Sequence, residues 1–504
     1  MLYIYNMLNK EMQVEISRSE YDRLVEDSER LSSVEQQLAE LRRMIFGRRS
    51  EKLSPISLDQ PTLFDPDYKD EAVKETKEVK YNKTISKKPK QKPVRTALPA
   101  HLPRVDEVIE PEGITKDHKR IGEEVTEVLE LTPAKMYVRR IIRPKYINPT
   151  TEEITIGNLP GLPIPKGIAG PTLLAYILVS KFIDHLPLYR QLQIFKRIKV
   201  DISSSTIGGW FKKTSELLEP LYKKQEELIL NNTNYLQVDE SPIKVQDRDK
   251  KGALHQGYMW VVRDPVTGLV LFRYNKGRSK SVPESLFEHF NGTLQTDGYT
   301  VYKTFKTKGD INLLGCMAHA RRYFEKAKDN DYSRAKHVLG LIQELYNIER
   351  TAKERNIDVD TLKRYRSLYA IPILNRLKKY LKEQQIKVMP KSAIAKAINY
   401  TLTIFDNLER YTADGKFEID NNMIENSIRP LALGRKNYMF AGNHLAAQNY
   451  AMMYSFFATC KTTGVNPQEW LEDVLDRIQD YRINMLHELL PHNWKKSQNS
   501  LPVL

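Results

Sequence analysis

The first regular pattern along the chain is a seven-residue repeat of apolar positions near the N-terminus. The repeat consists of Leu24, Leu31, Leu38 and Ile45, and the interleaved positions hold Val34 and Leu41. A seam of this kind is typical of a coiled coil, which would join copies of the chain through residues 24–45. Asp27 breaks the interleaved series, and three heptads also suit an ordinary amphipathic helix. We therefore predict a coiled coil over residues 20–50, with a single packed helix as the open alternative.

A charged segment and a β-patterned segment follow. Residues 54–97 are rich in charged residues and proline and end in a basic run without acids, KTISKKPKQKPVR. Such a composition predicts a disordered, solvated linker, which either only connects domains or also touches phosphate backbone. Alternating apolar and polar residues from Val125 to Ile147 then predict two strands that meet at Thr132-Pro133-Ala134. We expect a small β-hairpin module over residues 98–156.

Helical periodicity dominates residues 168–230. It predicts one helix over residues 172–198, a break at the sequence VDIS, and a second helix that begins near Ser203. This is the arrangement of a helix-turn-helix, which sets the polar start of its second helix in the major groove of DNA. Many helix pairs bind nothing, so a purely structural pair remains the alternative.

If this region binds DNA, its second helix supplies two kinds of contact. The hydroxyls of Ser205 and Thr206 lie in its first turn, within reach of phosphates or base edges, whereas Lys212 and Lys213 lie farther along and nearer the backbone. Should recognition lie elsewhere, the hairpin module is the next candidate because it carries Arg139, Arg140 and Arg143.

From Tyr235 the period changes from 3.6 to 2. The strands are YLQVDESPIKV, GYMWVVRD, GLVLFRYN, GTLQTDGY and DINLLGCMA, and the helices include KSVPESLFEHF, with Ser281 as its cap, and HARRYFEKAK. Three antiparallel strands followed by parallel additions are the order of the ribonuclease H-like fold. The predicted fold class is α/β, with a core over residues 232–442, a helical insertion at about 331–413 and a helical tail over 443–504.

Charge narrows the class of partner. The 504 residues suit about two to four domains, and 79 Lys and Arg against 64 Asp and Glu give a net charge of +15. A field of that size attracts polyanions, so nucleic acid is the first partner to consider. Two cysteines cannot build a disulfide framework or a four-thiolate zinc site, and no segment looks like a signal peptide or a membrane span. We expect a cytoplasmic protein with no membrane role.

Three carboxylates fall where the predicted fold can bring them together. Asp239 lies in the first strand and Asp297 just past the fourth, its neighbour in the sheet. Glu425 lies one helical turn before Arg429, with Arg435 and Lys436 close behind. Acidic oxygens converging on two Mg²⁺ or Mn²⁺ ions are what two-metal phosphodiester chemistry needs.

Each acid also has a purely structural interpretation. Glu425 lies three residues after Asn422 and suits a capping box, Asp297 precedes Gly298 and suits a turn, and Asp239 suits an ion pair with a lysine. All three together are harder to explain in this way, since an acid in an apolar strand is costly unless positive charge meets it.

The motifs VDESPIKV, LQTDGY, CMAHARRYFEKA and IDNNMIENSIRPLALGRKNYMFAGN, in that order, resemble the catalytic half of bacterial Asp-Asp-Glu transposases of the insertion sequence sixty-six family. LRRMIFGRRSEKL, PIPKGIAGPTLLAYILVSKFIDHLPLYRQ and the helix-turn-helix region resemble the same family, so the likeness covers nearly the whole chain. The resemblance implies an enzyme that cuts and joins DNA, with Asp239, Asp297 and Glu425 as its catalytic and metal-binding triad. It also implies an N-terminal region that binds element ends, and small accessory proteins as further partners.

One departure from that family concerns zinc. Members carry cysteine pairs around the small hairpin module, whereas the flanks here contain none, and His101 and His118 alone cannot supply four ligands. We therefore expect no zinc. Cys316 and His319 have metal-ligand spacing but no second pair, so we expect His319 and Arg322 to face DNA or a core carboxylate instead.

The sequence therefore predicts a transposase that binds terminal repeats and target DNA as a homo-oligomer at the bacterial nucleoid. In its predicted mechanism, Asp239 bridges two metal ions while Asp297 and Glu425 hold one each. Two rivals stay open, a nuclease of the same fold that only cuts and an inactive, transposase-derived DNA-binding regulator.

Overall fold

The computed structural model describes residues 3–6, 13–17, 19–20, 136–142, 145–147, 154–156, 161–247, 253–307 and 310–495. The chain divides into two compact units, one formed by Met1–Arg49 with Pro160–Leu504 and the other by Ser50–Leu159. Apart from Glu20, the predicted coiled coil over 20–50 and the linker over 54–97 lie outside the described residues, so both stay predictions.

Two small antiparallel pairs come before the main body in sequence. In the first unit, β1 (Tyr3–Asn6) pairs with β2 (Gln13–Ile16). In the second unit, β3 (Lys145–Ile147) pairs with β4 (Ile154–Ile156).

The second pair corrects the predicted hairpin. Residues 136–142, which the alternation assigned to a strand, have no regular secondary structure. The observed pairing covers Lys145–Ile147, and the sequence before it contains Pro144, a residue type without the N–H that a ladder position requires. The first predicted strand lies outside the described residues.

The remaining helices and strands lie in residues 161–495. In chain order they are α1 (Pro171–Phe182), α2 (Leu188–Arg197), α3 (Ser204–Asn231), β5 (Tyr235–Gln246), β6 (Leu254–Arg263), β7 (Val270–Asn275), α4 (Ser281–Leu286), β8 (Gly292–Gln295), β9 (Ile311–Leu314), α5 (Met317–Ala327), α6 (Tyr332–Glu354), α7 (Val359–Gln385), α8 (Ala393–Thr403), α9 (Phe405–Glu409), α10 (Asn422–Tyr438), α11 (His444–Thr463) and α12 (Pro467–Arg477). Short 3₁₀ helices occupy Thr300–Thr307, Arg410–Ala413, Ile478–Asp480 and Ile483–Leu489. None of these helices has the length and apolarity needed to cross a bilayer.

The five strands from Tyr235 onward form one mixed sheet. Its order is β7-β6-β5-β8-β9, in which β5, β6 and β7 are antiparallel and β8 and β9 are parallel additions beside β5. This observed order confirms the predicted one. The order was predictable because the alternating pattern, the turn at Asp264–Gly268 and the helical crossovers leave few other arrangements. Ser281 was wrong as a cap, since α4 begins at Ser281 itself and has no side-chain cap.

The region predicted as a helix-turn-helix contains three helices rather than two. The expected continuous helix over residues 172–198 is interrupted between α1 and α2. His185 takes a left-handed backbone (φ 58°) and Pro187, which has no N–H to donate, stands directly before α2. The predicted start of α3 is correct, because the Ser203 hydroxyl accepts a hydrogen bond from Thr206 N (3.0 Å) as an N-cap.

The free edge of β7 is covered by side chains from α3 and α11. Ser455 Oγ accepts a hydrogen bond from Phe272 N (2.7 Å), and Thr459 Oγ1 accepts one from Val270 N (3.1 Å). On the carbonyl side, Gln225 Nε2 donates to Val270 O (2.6 Å) and Tyr222 Oη donates to Phe272 O (2.7 Å). Backbone groups that an edge strand normally exposes are therefore satisfied inside the protein.

Helices α6 to α9 lie between β9 and α10 in sequence and occupy the segment predicted as a helical insertion. Their apolar faces share a core with α5, in which Phe324 packs in one cluster with Leu345, Leu374 and Ile398. Inside this bundle, the buried Arg366 guanidinium of α7 donates to both carboxylate oxygens of Glu349 on α6 (2.9 and 2.6 Å). It also donates to the carbonyl oxygens of Tyr411 (3.0 Å) and Asp414 (2.8 Å).

Candidate active site

Two of the predicted acids meet at the carboxyl ends of neighbouring parallel strands. β5 and β8 pair with Gln237 opposite Gln295, so continuing the same register by two residues sets Asp239 beside Asp297. Parallel strands lie about 4.8 Å apart, and in open α/β sheets ligands bind outside their carboxyl ends. The sheet thus brings together two carboxylates that are 58 positions apart in sequence.

Asp239 is a buried carboxyl group in a negative environment. Burial is the main cause that raises its pKa to about 8, and the charges of Glu240, Asp297 and Glu425 raise it further. A hydrogen bond from Glu240 N to Asp239 Oδ1 (2.7 Å) acts in the opposite direction. The lysine partner considered from the sequence is not among these influences. Positive charge would relieve this carboxylate cluster.

Asp297 lies in a tight turn that the helical insertion holds from the other side. Its Oδ1 accepts a hydrogen bond from Tyr299 N (2.8 Å), and Gly298 takes a φ of +86°. The prediction that Asp297 lies in a turn is therefore correct, and it does not exclude a further role for the carboxylate. From α8, the Tyr400 hydroxyl donates to the carbonyl oxygen of Asp297, and Ile404 lies against Gly298, where a Cβ would be 3.3 Å from it. The insertion thus fixes the backbone that carries the second acid.

Glu425 lies in the first turn of α10 and faces α5. Its Oε2 accepts a hydrogen bond from Arg322, and its Oε1 lies 3.9 Å from His319 Nε2. The capping-box interpretation is wrong, because the N-cap of α10 is Asn421 and Glu425 points to Arg322 instead. Glu425 Oε1 is buried and accepts no hydrogen bond from the described residues.

A buried network of amide side chains ties the segment before α10 to the sheet. Its hydrogen bonds join Gln237 Nε2 to Gln295 Oε1 (2.9 Å) and Asp420 O (3.1 Å), Gln295 Nε2 to Glu418 O (2.7 Å), and Asn421 Nδ2 to Val238 O (3.1 Å). Each partner is a backbone or amide group that would be costly to bury unpaired. The network therefore fixes the start of α10, and with it Glu425, beside the ends of β5 and β8.

A further acid of the site was missed in the sequence. The carboxylate of Glu240 is only 1% exposed, and it accepts hydrogen bonds from Arg278 Nε (2.7 Å) and the Tyr302 hydroxyl (3.0 Å). Burial raises the pKa of Glu240, and the Arg278 guanidinium opposes that rise. The two adjacent acids in an apolar strand were a visible signal in the sequence. The partner of Glu240, however, is Arg278, which is 38 residues away in a loop.

The donor set suits divalent metal ions, which prefer carboxylate oxygens. The raised pKa of Asp239 and the unpartnered Oε1 of Glu425 are what metal ligands show without their metal. In the part of the chain that the structure describes, no three His, Cys, Asp or Glu side chains are already grouped as a metal site. Within the described residues, Glu425 is instead held by Arg322.

The other predicted site residues have varied positions. Ser205, Lys212, Lys213, Arg429 and Lys436 are exposed, and Thr206 is half-buried. Arg435 is half-buried and donates to the carbonyl oxygen of Pro242, so part of its hydrogen-bonding capacity is used within the protein. His319 and Arg322 face a core carboxylate, which is one of the two expected orientations. Cys316 is buried, and its sulfur accepts a hydrogen bond from Asn421 N (3.2 Å).

Comparison with family models gives four matches along the chain. A model described as Transposase IS66 family matches residues 166–449, which include all three acids. Models described as Transposase C of IS166 homeodomain, zinc-finger binding domain of transposase IS66 and IS66 C-terminal element match residues 33–106, 111–147 and 455–492. The zinc-finger match contains no cysteine in this chain.

Curated relatives extend over nearly the same length. The chain is similar to Uncharacterized protein y4jD of Sinorhizobium fredii (strain NBRC 101917 / NGR234), with 33% identity over 95% of this chain and 98% of the relative. It is also similar to Uncharacterized protein y4qI of the same strain, with 32% identity over 93% of this chain and 90% of the relative.

Proposed function

Because the chain belongs to the IS66 family of transposases, we propose that it binds the ends of an insertion sequence and catalyses metal-dependent cleavage and strand transfer of DNA. The observation that supports the proposal is electrostatic: the charges of Asp297 after β8 and Glu425 on α10 both raise the pKa of Asp239 on β5. The strand order β7-β6-β5-β8-β9 supports a ribonuclease H-like core, in which such acids lie at the strand ends.

In the proposed mechanism the protein holds and orients the reacting groups. Asp239 would hold both metal ions, and Asp297 and Glu425 would hold one each, once Glu425 is released from Arg322. Two Mg²⁺ or Mn²⁺ ions supply activation of the attacking oxygen and stabilisation of the leaving oxygen. Water first attacks a phosphodiester and frees a 3′-hydroxyl, which then attacks a phosphodiester of the target DNA. Each step exchanges one P–O bond for another, so no covalent enzyme intermediate is needed.

Incubating the purified chain with supercoiled plasmid that carries the element ends, with Mg²⁺, Mn²⁺ or EDTA, tests this function. We expect nicking that depends on the metal and, with a second plasmid as target, joined products. Cleavage without joined products would favour a structure-selective nuclease of the same fold. Tight binding without any cleavage, with or without a cell extract to supply accessory proteins, would favour a DNA-binding regulator.

Recognition of the element ends is expected at the start of α3. Changing Ser205 and Thr206 to Ala should reduce the preference for terminal over scrambled duplex. Each hydroxyl hydrogen-bonds to Ser203 Oγ (2.8 Å), and each can form a further hydrogen bond to a phosphate or base edge. Changing Lys212 and Lys213 to Ala should weaken binding to both duplexes alike and reduce the slope of log affinity against log salt by about one unit for each phosphate that is no longer neutralised. Binding titrations on both duplexes at several salt concentrations measure the two effects.

Lys223 and Lys224 provide a control from farther along the same helix. They pair with Glu219 and Glu227, as Lys212 pairs with Glu216, so the comparison isolates position along α3. If the hydroxyl changes leave discrimination at the wild-type level, recognition lies elsewhere. The second unit, with Arg139, Arg140 and Arg143, then becomes the candidate.

The remaining parts of the proposal concern assembly. The heptad pattern supports a homo-oligomer through residues 24–45, the proposed DNA substrate supports action at the nucleoid, and membership of the family supports small accessory proteins as partners. The absence of structural zinc stays a prediction, which elemental analysis of the purified chain tests directly; one zinc per chain would contradict it.

A further inference from the structure

A basic loop borders the acidic site. It connects β7 to α4 through residues 276–280, with the sequence KGRSK, and it carries Lys276, Arg278 and Lys280 within five positions. The side chains of Lys276 and Lys280 are exposed. Three cations on one short loop repel one another, so a shared anionic partner would stabilise them.

Arg278 is fixed in place from inside the protein. Its Nε and Nη2 both donate to Glu240 Oε1, and its guanidinium lies 4.0 Å from the ring centroid of Tyr299. Even so, 37% of the Arg278 side chain is exposed. A guanidinium that is clamped by a buried carboxylate and stacked on a ring loses little further conformational entropy when it binds a ligand.

The position of Arg278 links the loop to the catalytic acids. Its partner Glu240 directly follows Asp239, and the charge of Asp297 acts on both Asp239 and Arg278. Within the described residues, no acceptor takes a hydrogen bond from Arg278 Nη1, so its two N–H donors remain available. A cation with available donors therefore lies at the border of the carboxylate cluster.

We propose that Arg278, with Lys276 and Lys280, binds a backbone phosphate of the DNA strand that is cut. The inference rests on the proposed function and assigns the loop to the same substrate. A planar guanidinium suits a phosphate because it presents parallel donors. The nearby acids would otherwise repel this phosphate, and the loop supplies positive charge beside them. A guanidinium that served only to neutralise Glu240 would need neither the two flanking lysines nor an exposed side.

Three variants of the full chain test the proposal. Lys276→Ala/Lys280→Ala removes the flanking charges, Arg278→Lys keeps a cation beside Glu240 but loses the planar fork, and Arg278→Gln/Glu240→Gln replaces the ion pair by a neutral, hydrogen-bonding pair. The last variant matters because Arg278 alone cannot be removed without leaving Glu240 buried and unpaired. Arg273→Ala is the control. Arg273 lies on β7, close in sequence to the loop, and like Arg278 it pairs with a glutamate, Glu226 (2.7 Å).

Binding is measured on an arbitrary 30-base-pair duplex in EDTA at several salt concentrations, and nicking on plasmid in Mg²⁺. We expect the slope of log affinity against log salt to fall by at most about one unit for either the lysine variant or Arg278→Gln/Glu240→Gln, because the three cations share one phosphate. Nicking should fall about tenfold to a hundredfold for both Arg278 variants, as expected when a charge-assisted hydrogen bond is removed. Arg273→Ala should match the wild type in both assays.

The possible outcomes distinguish failure of the loop assignment from failure of the proposed transposase function. If the wild type binds DNA and the loop variants keep its salt slope and nicking rate, the loop assignment is wrong and the transposase proposal stands. If the wild type binds but does not nick, the binding slopes alone decide the inference. If the wild type neither binds nor nicks DNA, both proposals fail together.

Discussion

Asp239→Asn, Asp297→Asn and Glu425→Gln are each expected to lower Mg²⁺-dependent cleavage by at least about a thousandfold. Each change removes one negative charge from the metal ligands but keeps the size and hydrogen-bonding shape of the side chain. Loss of several kcal/mol of metal-based stabilisation in the transition state corresponds to a rate loss of this order. Nicking of supercoiled plasmid, followed in time courses with Mg²⁺ and Mn²⁺, measures the effect.

The same variants should retain the fold. Asp239 is buried with a pKa raised to about 8, so an amide in its place relieves repulsion, and the metal-free variant should melt at or above the wild-type temperature. Saturating Mg²⁺ should stabilise the wild type, by about 2.7 kcal/mol when its concentration is a hundred times the dissociation constant, and the Asp239 variant much less. Thermal melts with Mg²⁺ or EDTA give both values.

Asp310→Asn is the matched control, because Asp310 is an exposed acid just before β9. It should cleave and melt like the wild type. A variant of Asp239, Asp297 or Glu425 that is folded and still cleaves within about tenfold of the wild type would remove that residue from the triad.

The second large effect is expected inside the helical insertion. Arg366→Met should lower the free energy of unfolding by about 3–5 kcal/mol, because it leaves the carboxylate of Glu349, whose side chain is only 16% exposed, without its bidentate partner. It also leaves the carbonyl oxygens of Tyr411 and Asp414 without their donor. Urea denaturation of the purified chain, monitored by circular dichroism, measures the change.

A second Arg–Glu pair between the same two helices serves as the control. Arg376 and Glu344 have side chains that are 59% and 48% exposed, so Arg376→Met should change stability by less than about 1 kcal/mol. The double variant Arg366→Met/Glu349→Leu should recover part of the loss, since it leaves no unpaired charge. Equal effects at Arg366 and Arg376 would show that burial of the pair does not determine its contribution.

Local sequence patterns predict much of the five-stranded sheet. The alternation in YLQVDESPIKV and in the later strand sequences predicts each strand, and the connections then limit the strand order. Asp239 and Asp297 are therefore predicted to be neighbours from the sequence alone. The sequence assigns Glu425 to a later helix, one helical turn before Arg429. Its position beside the strands depends on the buried amides Gln237 and Gln295, which a sequence pattern does not distinguish from other polar residues in a strand.

Contacts over long sequence separations explain what sequence reasoning missed. Glu240 gains its role from Arg278 and Tyr302, and Tyr400 reaches Asp297 from a helix about a hundred residues later. The single helix predicted over residues 172–198 failed for a local reason. Its apolar positions continue in phase through the break, while His185 and Pro187 end α1 and start α2.

The covered edge of β7 also limits how copies of this protein can associate. With Ser455, Thr459, Gln225 and Tyr222 satisfying the outer backbone groups, no row of free donors and acceptors remains there to template an incoming strand. A partially unfolded neighbour therefore cannot extend the sheet from this side, which protects the chain from amyloid-like growth at high local concentration. Copies of the protein that meet at this edge would touch through side chains, where charge can tune the contact.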